Sequence, residues 1–169
     1  MAGTAVVDLE GVLCKGSPPN GAPVWTGIQT YHALATQFRL VVDTAHDDIT
    51  EIEHWLKVNS LNRHTLVLQC EPEEAALGPV ELRQAHLAEW RAHGFDIALW
   101  VTSDPLVAAS MMRAGITSLL FAHPQFARPE HRPDHESTLR PWDAIEEEIT
   151  AQLALREQAP RIDAEMDYE

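Results

Sequence analysis

Ala5-Val6-Val7-Asp8-Leu9-Glu10-Gly11-Val12-Leu13 is the stretch on which the reading of this chain turns. Its first three apolar residues read as a short buried strand. The strand ends abruptly at Asp8, a second acid, Glu10, follows two positions on, and Gly11 comes next. As the chain leaves the sheet, both carboxylates can point the same way. Two acids at one point repel each other, and a cation, or chemistry that needs an acid and a base, relieves the repulsion. The glycine allows a sharp turn beside a ligand. The plainer alternative is a strand end with exposed acids.

Outward from this stretch, short β-type runs alternate with helical patterns. A Gly/Pro-rich loop is expected from Gly11 through Gly27, then a helix marked by Ile28, Tyr31, Leu34 and Phe38. Arg39 to Val42 reads as the second strand, ending near Asp43-Thr44. Asp48 followed by Glu51 resembles a capping box and opens a helix whose buried face is Ile49, Ile52, Trp55 and Leu56. Thr65 to Gln69 is the third strand, and Glu71 to Gly78 an acidic loop. Val80 to His93 is helical and closed by Gly94. Ile97 to Thr102 is the fourth strand, Pro105 to Arg113 a helix ended by Gly115, and Ser118 to Ala122 the fifth strand. Pro124 to Pro141 reads as an extended loop, and Ile145, Ile149 and Leu153 mark a last helix.

This alternation predicts an α/β fold: a Rossmann-like, mainly parallel sheet with helices on both faces. In such sheets ligands bind outside the carboxyl ends of the strands. Asp8, Thr44 and Asp104 all fall there. The expected organisation is one α/β domain over residues 1–156, followed by an acidic tail over 157–169.

The composition narrows the classes of function. Of 169 residues, 45% are hydrophobic, which fits a globular domain with a sizeable core. No apolar run approaches the roughly 20 residues of a membrane helix. The first hydrophobic segment contains acids, unlike a signal peptide, so a cytoplasmic location is expected, with Cys14 and Cys70 as reduced thiols. Lys and Arg number 12 against 26 Asp and Glu, a net charge of −14. That field repels phosphate backbones and argues against extended nucleic-acid binding.

In motif order the chain resembles the haloacid dehalogenase-like (HAD) superfamily of phosphohydrolases. Residues 5–13 are similar to that family's first motif, an apolar strand followed by Asp-x-Asp-Gly. Glu10 departs from it, although Asp-x-Glu-Gly also occurs in active branches of the family. Leu40-Val41-Val42-Asp43-Thr44 is similar to the second motif, a strand ending in Thr or Ser. Ala98 to Pro105 resembles the fourth, with Asp104 as the magnesium-binding acid and no second acid beside it. The third motif requires a cation, usually Lys, and neither Lys15 nor Lys57 is placed to supply it. Arg83 is the nearest substitute and Arg91 the second choice. Arg128-Pro129-Glu130 and Arg140-Pro141-Trp142-Asp143 also look like small HAD-like proteins encoded by bacteriophages of actinobacteria.

The resemblance implies a magnesium-dependent phosphomonoesterase. Asp8 would be the nucleophile and form an aspartyl-phosphate. Glu10 would be the general acid/base. Thr44 and Arg83 would hold the phosphoryl oxygens, and Asp8, the Glu10 carbonyl and Asp104 would bind Mg²⁺. The intervals between motifs leave no room for a large cap domain, so the site is open unless the Gly/Pro-rich loop or a homo-oligomer partner covers it. A nucleotide or other small phosphate, or a phosphoprotein, fits as substrate. The rival is a catalytically degenerate binding module on the same scaffold, which the absent lysine, Glu10 and the lone Asp104 also fit. His123, His131 and His135, with Glu130 and Glu136, form no helical pair of the H-E-x-x-H kind, lie in a proline-rich stretch and read as solvated loop residues rather than zinc ligands. Trp55, Trp90 and Trp100 read as packing residues.

Overall fold

The computed structural model describes residues 3–121 and, beyond them, Glu147, Thr150 and Ala151. Those last three are helical, within the span expected for the final helix. The extended loop with its histidines and the phage-like Arg-Pro segments, the rest of that helix and the acidic tail lie outside the described residues.

Five parallel strands form the sheet. They are β1 (Thr4–Asp8), β4 (Arg39–Asp43), β5 (His64–Leu68), β6 (Ile97–Thr102) and β7 (Thr117–Leu120), in the order β5-β4-β1-β6-β7. β1 is central and every one of its residues is buried. The chain builds outward from β1 through β4 to β5, then returns to lay β6 against the other side of β1. The gap between β1 and β6 is therefore the topological switch point, where such sheets open a crevice.

Helices cover both faces. α1 (Trp25–Leu34) and α2 (Ile49–Val58) pack Ile28, Tyr31, Ile52 and Leu56 on Ala5, Val7, Leu40 and Val42. On the other face α3 (Pro79–Ala92) and α4 (Pro105–Arg113) pack Leu87, Trp90, Val107 and Met111 on Val6, Val41 and Trp100. Alternate strand residues serve opposite faces, as the pleat requires. Trp55, Trp90 and Trp100 are core residues, as expected.

Several local expectations need correction. The segment after β1 is not a plain loop. Leu9, Val12 and Leu13 are fully buried and anchor a tight turn, and β2 (Cys14–Lys15) pairs with β3 (Ala22–Pro23) in a short hairpin. The Trp55 indole N–H ties this hairpin down by donating to the Gly21 carbonyl at 2.8 Å. α1 begins at Trp25, one turn ahead of the first apolar residue that marks its period. Asp48 caps α2 as expected, but Glu51 turns its carboxylate to His46 Nε2 at 3.0 Å and so does not complete a capping box. Ile49, assigned to the buried face of α2, is exposed. No large cap domain interrupts the described chain, and no described helix is long and apolar enough to cross a membrane.

Gly27 fixes how α1 docks. A Cβ there would sit 1.7 Å from the Val12 carbonyl oxygen. In an exposed helix Gly→Ala stabilises by about 1 kcal/mol. Here Gly27→Ala is expected to destabilise by about 1–3 kcal/mol, because the helix must back away from the turn that carries Glu10. A lower urea midpoint checks this, and a raised midpoint would refute it.

Candidate active site at the carboxyl edge of the sheet

The face of the sheet decides which side chains can meet. Asp8 shares parity with Val6 and Asp43 with Val41, while Thr102 shares it with Trp100, so all three point toward α3 and α4. On α3, Arg83, His86, Leu87 and Trp90 form one buried stripe at helical spacing. Its apolar half lies over the middle of the sheet. Its polar half, near the helix N-terminus, lies over the strand ends.

Arg83 is the centre of the cluster. Its Nε lies 3.3 Å from Asp8 Oδ1 and 3.0 Å from Asp43 Oδ1, and its Nη2 lies 3.3 Å from Glu10 Oε2. The side chain is only 7% exposed. Burial opposes its charge, but Asp43, Asp8 and Glu10 together outweigh that and push its pKa above the ordinary arginine value. Nη1 is buried with no hydrogen-bond acceptor among the described residues.

Asp8 is nearly as enclosed. The Trp100 indole N–H donates to its Oδ1 at 2.9 Å, and the Thr102 hydroxyl is a further partner. Burial pushes the Asp8 carboxyl up to about 7. The charge of Arg83 and the hydrogen bonds from Thr102 and Trp100 restrain the rise, and the neighbouring Asp43 adds to it.

Glu10 sits at the mouth, with its side chain 28% exposed. The Thr44 hydroxyl donates to Oε1, and the Ala45 backbone N–H donates to Oε2 at 3.3 Å. With Arg83 Nη2 this makes three donors from two segments, the end of β4 and α3, around one carboxylate. Thr44 is fully buried and its hydroxyl accepts from the His46 N–H, which fixes its orientation. The Ser103 hydroxyl donates to the Glu10 carbonyl at 3.5 Å, so the turn after β1 touches the β6–α4 loop. Gly11 permits that approach: it has φ +77, and a Cβ there would lie 1.9 Å from Ser103 Oγ.

The structure thus brings Asp8, Glu10, Thr44 and Arg83 into one cluster. Asp104 lies on the same edge, where it caps α4: its Oδ1 accepts from the Leu106 N–H at 2.8 Å and the Val107 N–H at 3.4 Å. Arg91, the second-choice cation, instead donates to the Ala114 carbonyl at the end of α4. Sequence reasoning missed Asp43, His86, Glu74 and Trp100. His86 Nδ1 lies 2.9 Å from Asp43 Oδ2, and its Nε2 lies 3.2 Å from Glu74 Oε2. No three His, Cys, Asp or Glu side chains among the described residues are grouped to hold a metal ion. The oxygens that the sequence assigned to a cation, the carboxylates of Asp8 and Asp104 and the carbonyl of Glu10, all fall along this edge of the sheet.

Neither a family model nor a curated protein matches the chain. Among solved structures, a chain of the "Structure of the Pnkp1/Rnl/Hen1 RNA repair complex" superposes with a TM-score of 0.60 at 10% identity, over 71% of this chain. This chain spans 42% of that one's length. At such identity the likeness is one of fold.

The raised pKa of Asp8 has a consequence for stability. The folded chain holds a proton there that the unfolded chain has released above its ordinary value of 3.8. The contribution is full below that value and is lost as pH rises through about 7. In a chelating buffer at about pH 8, Asp8→Asn is therefore expected to be more stable than wild type, on the order of 1–4 kcal/mol. The gap should close as the solution is acidified. Equal urea midpoints across the range would mean that Arg83 already compensates the Asp8 charge in full.

Proposed function

We propose that this chain is a magnesium-dependent phosphomonoesterase of the HAD type. The observation that carries the reading is the Glu10 carboxylate itself, held by the Thr44 hydroxyl, the Ala45 N–H and Arg83 Nη2. An internal anion on three converging donors marks where the oxygens of a phosphoryl group would sit, beside the strand end that carries Asp8. Arg83 Nη1, which has no acceptor among the described residues, is a further donor for such a group. The fold neighbour belongs to an RNA repair complex, and the parallel sheet with its switch-point crevice suits phosphoryl transfer.

In this reading the Asp8 carboxylate attacks phosphorus, forming the Asp8–phosphorus bond as the bond to the leaving oxygen breaks. Glu10 swings off the cradle, takes up a proton from solvent, and gives it to that oxygen. It then takes a proton from a water molecule, which attacks phosphorus, frees inorganic phosphate and restores Asp8. Arg83 and Thr44 hold the non-bridging oxygens while charge develops on them. Asp8, the Glu10 carbonyl and Asp104 would hold Mg²⁺, a cation that retains several waters and needs only one or two carboxylates. When bound, it would supply Lewis-acid stabilisation of the phosphoryl oxygens. The net charge of −14 favours a small phosphate, a nucleotide or a phosphoprotein over an extended nucleic acid.

A second reading, a catalytically degenerate binding module, has its own support. Asp8 is 4% exposed and already engaged by Trp100 and Arg83, and Asp104 is committed to a helix cap. Phosphate release from a broad panel of monoesters in Mg²⁺ separates the two. Wild type should turn over at least one of them, and Asp8→Asn none while staying folded. Glu10→Gln should give a burst and then slow turnover with an activated aryl phosphate, because water is no longer activated. A wild type silent across the panel leaves the binding module as the function.

The cradle can be tested without catalysis. A ligand anion must displace Glu10, so Glu10→Ala should bind tungstate at least about tenfold more tightly than wild type, the equivalent of removing one charge-assisted competitor. Adding Thr44→Val should cancel the gain. Calorimetry showing equal affinities in wild type and Glu10→Ala would place the anion elsewhere.

A further inference from the structure

His86 is fully buried, yet both of its ring nitrogens face carboxylates. Nδ1 lies 3.1 Å and 2.9 Å from the two oxygens of Asp43, and Nε2 lies 3.2 Å from Glu74 Oε2. A neutral imidazole has one N–H, and its other nitrogen is an acceptor. In either neutral tautomer, one nitrogen lone pair would face carboxylate lone pairs at hydrogen-bond distance, away from water. The doubly protonated ring donates on both sides and satisfies every contact.

We propose that His86 is a buried imidazolium, the counter-ion of Asp43 and Glu74, and that it is a positioning residue for Arg83. Asp43 is the shared partner: its Oδ1 is also 3.0 Å from Arg83 Nε. With a neutral ring, the Asp43 charge would rest on Arg83 alone and draw the guanidinium away from Asp8 and Glu10. With a charged ring, Asp43 is neutralised from two sides, and the forward edge of Arg83 remains for Asp8 and the cradle. The charged groups facing the ring are Asp43 from β4, Glu74 from the 3₁₀ turn Pro72–Glu74, and Arg83 from its own helix. Burial and Arg83 oppose the ring's charge, while contact with Asp43 and the field of Glu74 favour it and raise the pKa.

Glu74, His86, Asp43, Arg83 and Asp8 thus form one unbroken string. It runs from Glu74, whose side chain is 19% exposed, to the strand end that carries the proposed nucleophile. The ring's charge stands apart from the phosphatase reading, whereas the use made of Arg83 rests on it.

Nitrogen NMR of the full chain with labelled histidine tests the charge directly. Near neutral pH, the ring whose signals vanish in His86→Asn should show both nitrogens protonated. It should lose its proton at a pH above the ordinary histidine value of 6.5. Glu74→Gln, at a partly exposed site, should lower that pH and serves for assignment if His86→Asn does not fold. A neutral-tautomer pattern at neutral pH, or a titration indifferent to Glu74→Gln, overturns the imidazolium.

The positioning role is read in the Glu10→Ala background, where the cradle is open. There His86→Asn should weaken tungstate binding about tenfold or more, the scale of one charge-assisted hydrogen bond. Unchanged affinity overturns the role. If the Glu10→Ala protein binds no tungstate, the oxyanion cradle fails. The role is then decided by the Arg83 Nε–H signal, which should exchange faster in His86→Asn, and an unchanged exchange rate overturns it.

Discussion

One guanidinium holds together what would otherwise come apart. Arg83 reaches from α3 to carboxylates on β1, on the turn after β1 and on β4. Without a buried cation at that point, the carboxyl ends of two neighbouring strands would carry like charges in paired register, Asp8 beside Asp43. Coulomb repulsion between enclosed carboxylates is several-fold stronger than in water. The same contact docks the N-terminal half of α3, where the stripe is polar and apolar burial contributes least. Sheet edge, the N-terminal half of α3 and the site's electrostatics therefore meet at one side chain.

Such a cluster is not a straightforward source of stability. Desolvating several charges costs nearly as much as their mutual attraction returns, and apolar residues of similar volume often serve the fold equally well. What the cluster supplies instead is a fixed field at the switch point. Its partners come from β1, β4, the 3₁₀ turn, α3 and β6, so each is oriented by packing elsewhere. The Thr44 hydroxyl, for example, is set by the His46 N–H behind it. In the proposed reaction Glu10 would have to leave the cradle, while the groups around it would need little reorganisation.

Much of this architecture was legible in the sequence because its signals are local. Ile97–Thr102 and Pro105–Arg113 have the bounds read from apolar period, proline and glycine alone. The segment from Gly11 to Gly27 was not legible as a hairpin. It is held by buried Leu9, Val12 and Leu13 and by a bond from Trp55, none of which leaves a periodic trace. In the cluster, Asp8, Glu10 and Thr44 announce themselves as polar groups that end apolar strands. Asp43 and His86 do not, because their meaning lies in partners distant in sequence. The available signal was parity: Asp43 falls on the face of Val41, and His86 falls between Arg83 and Trp90 on the buried stripe. A charged or titratable residue at a core position of the period asks for a partner across the sheet.

The bond from the Trp100 indole to Asp8 also gives the molecule an optical sensor. Indole absorption and emission respond to the charge accepted by the ring N–H, and this ring is sealed from water, with Asp8 as its hydrogen-bond acceptor. Any event at that carboxyl, whether a proton lost, a cation gained or a phosphoryl group attached, changes the field along the indole dipole. Trp25, by contrast, is 68% exposed and reports on solvent. Difference spectra in the tryptophan band would thus follow the state of the carboxyl in real time, with no label added to the protein.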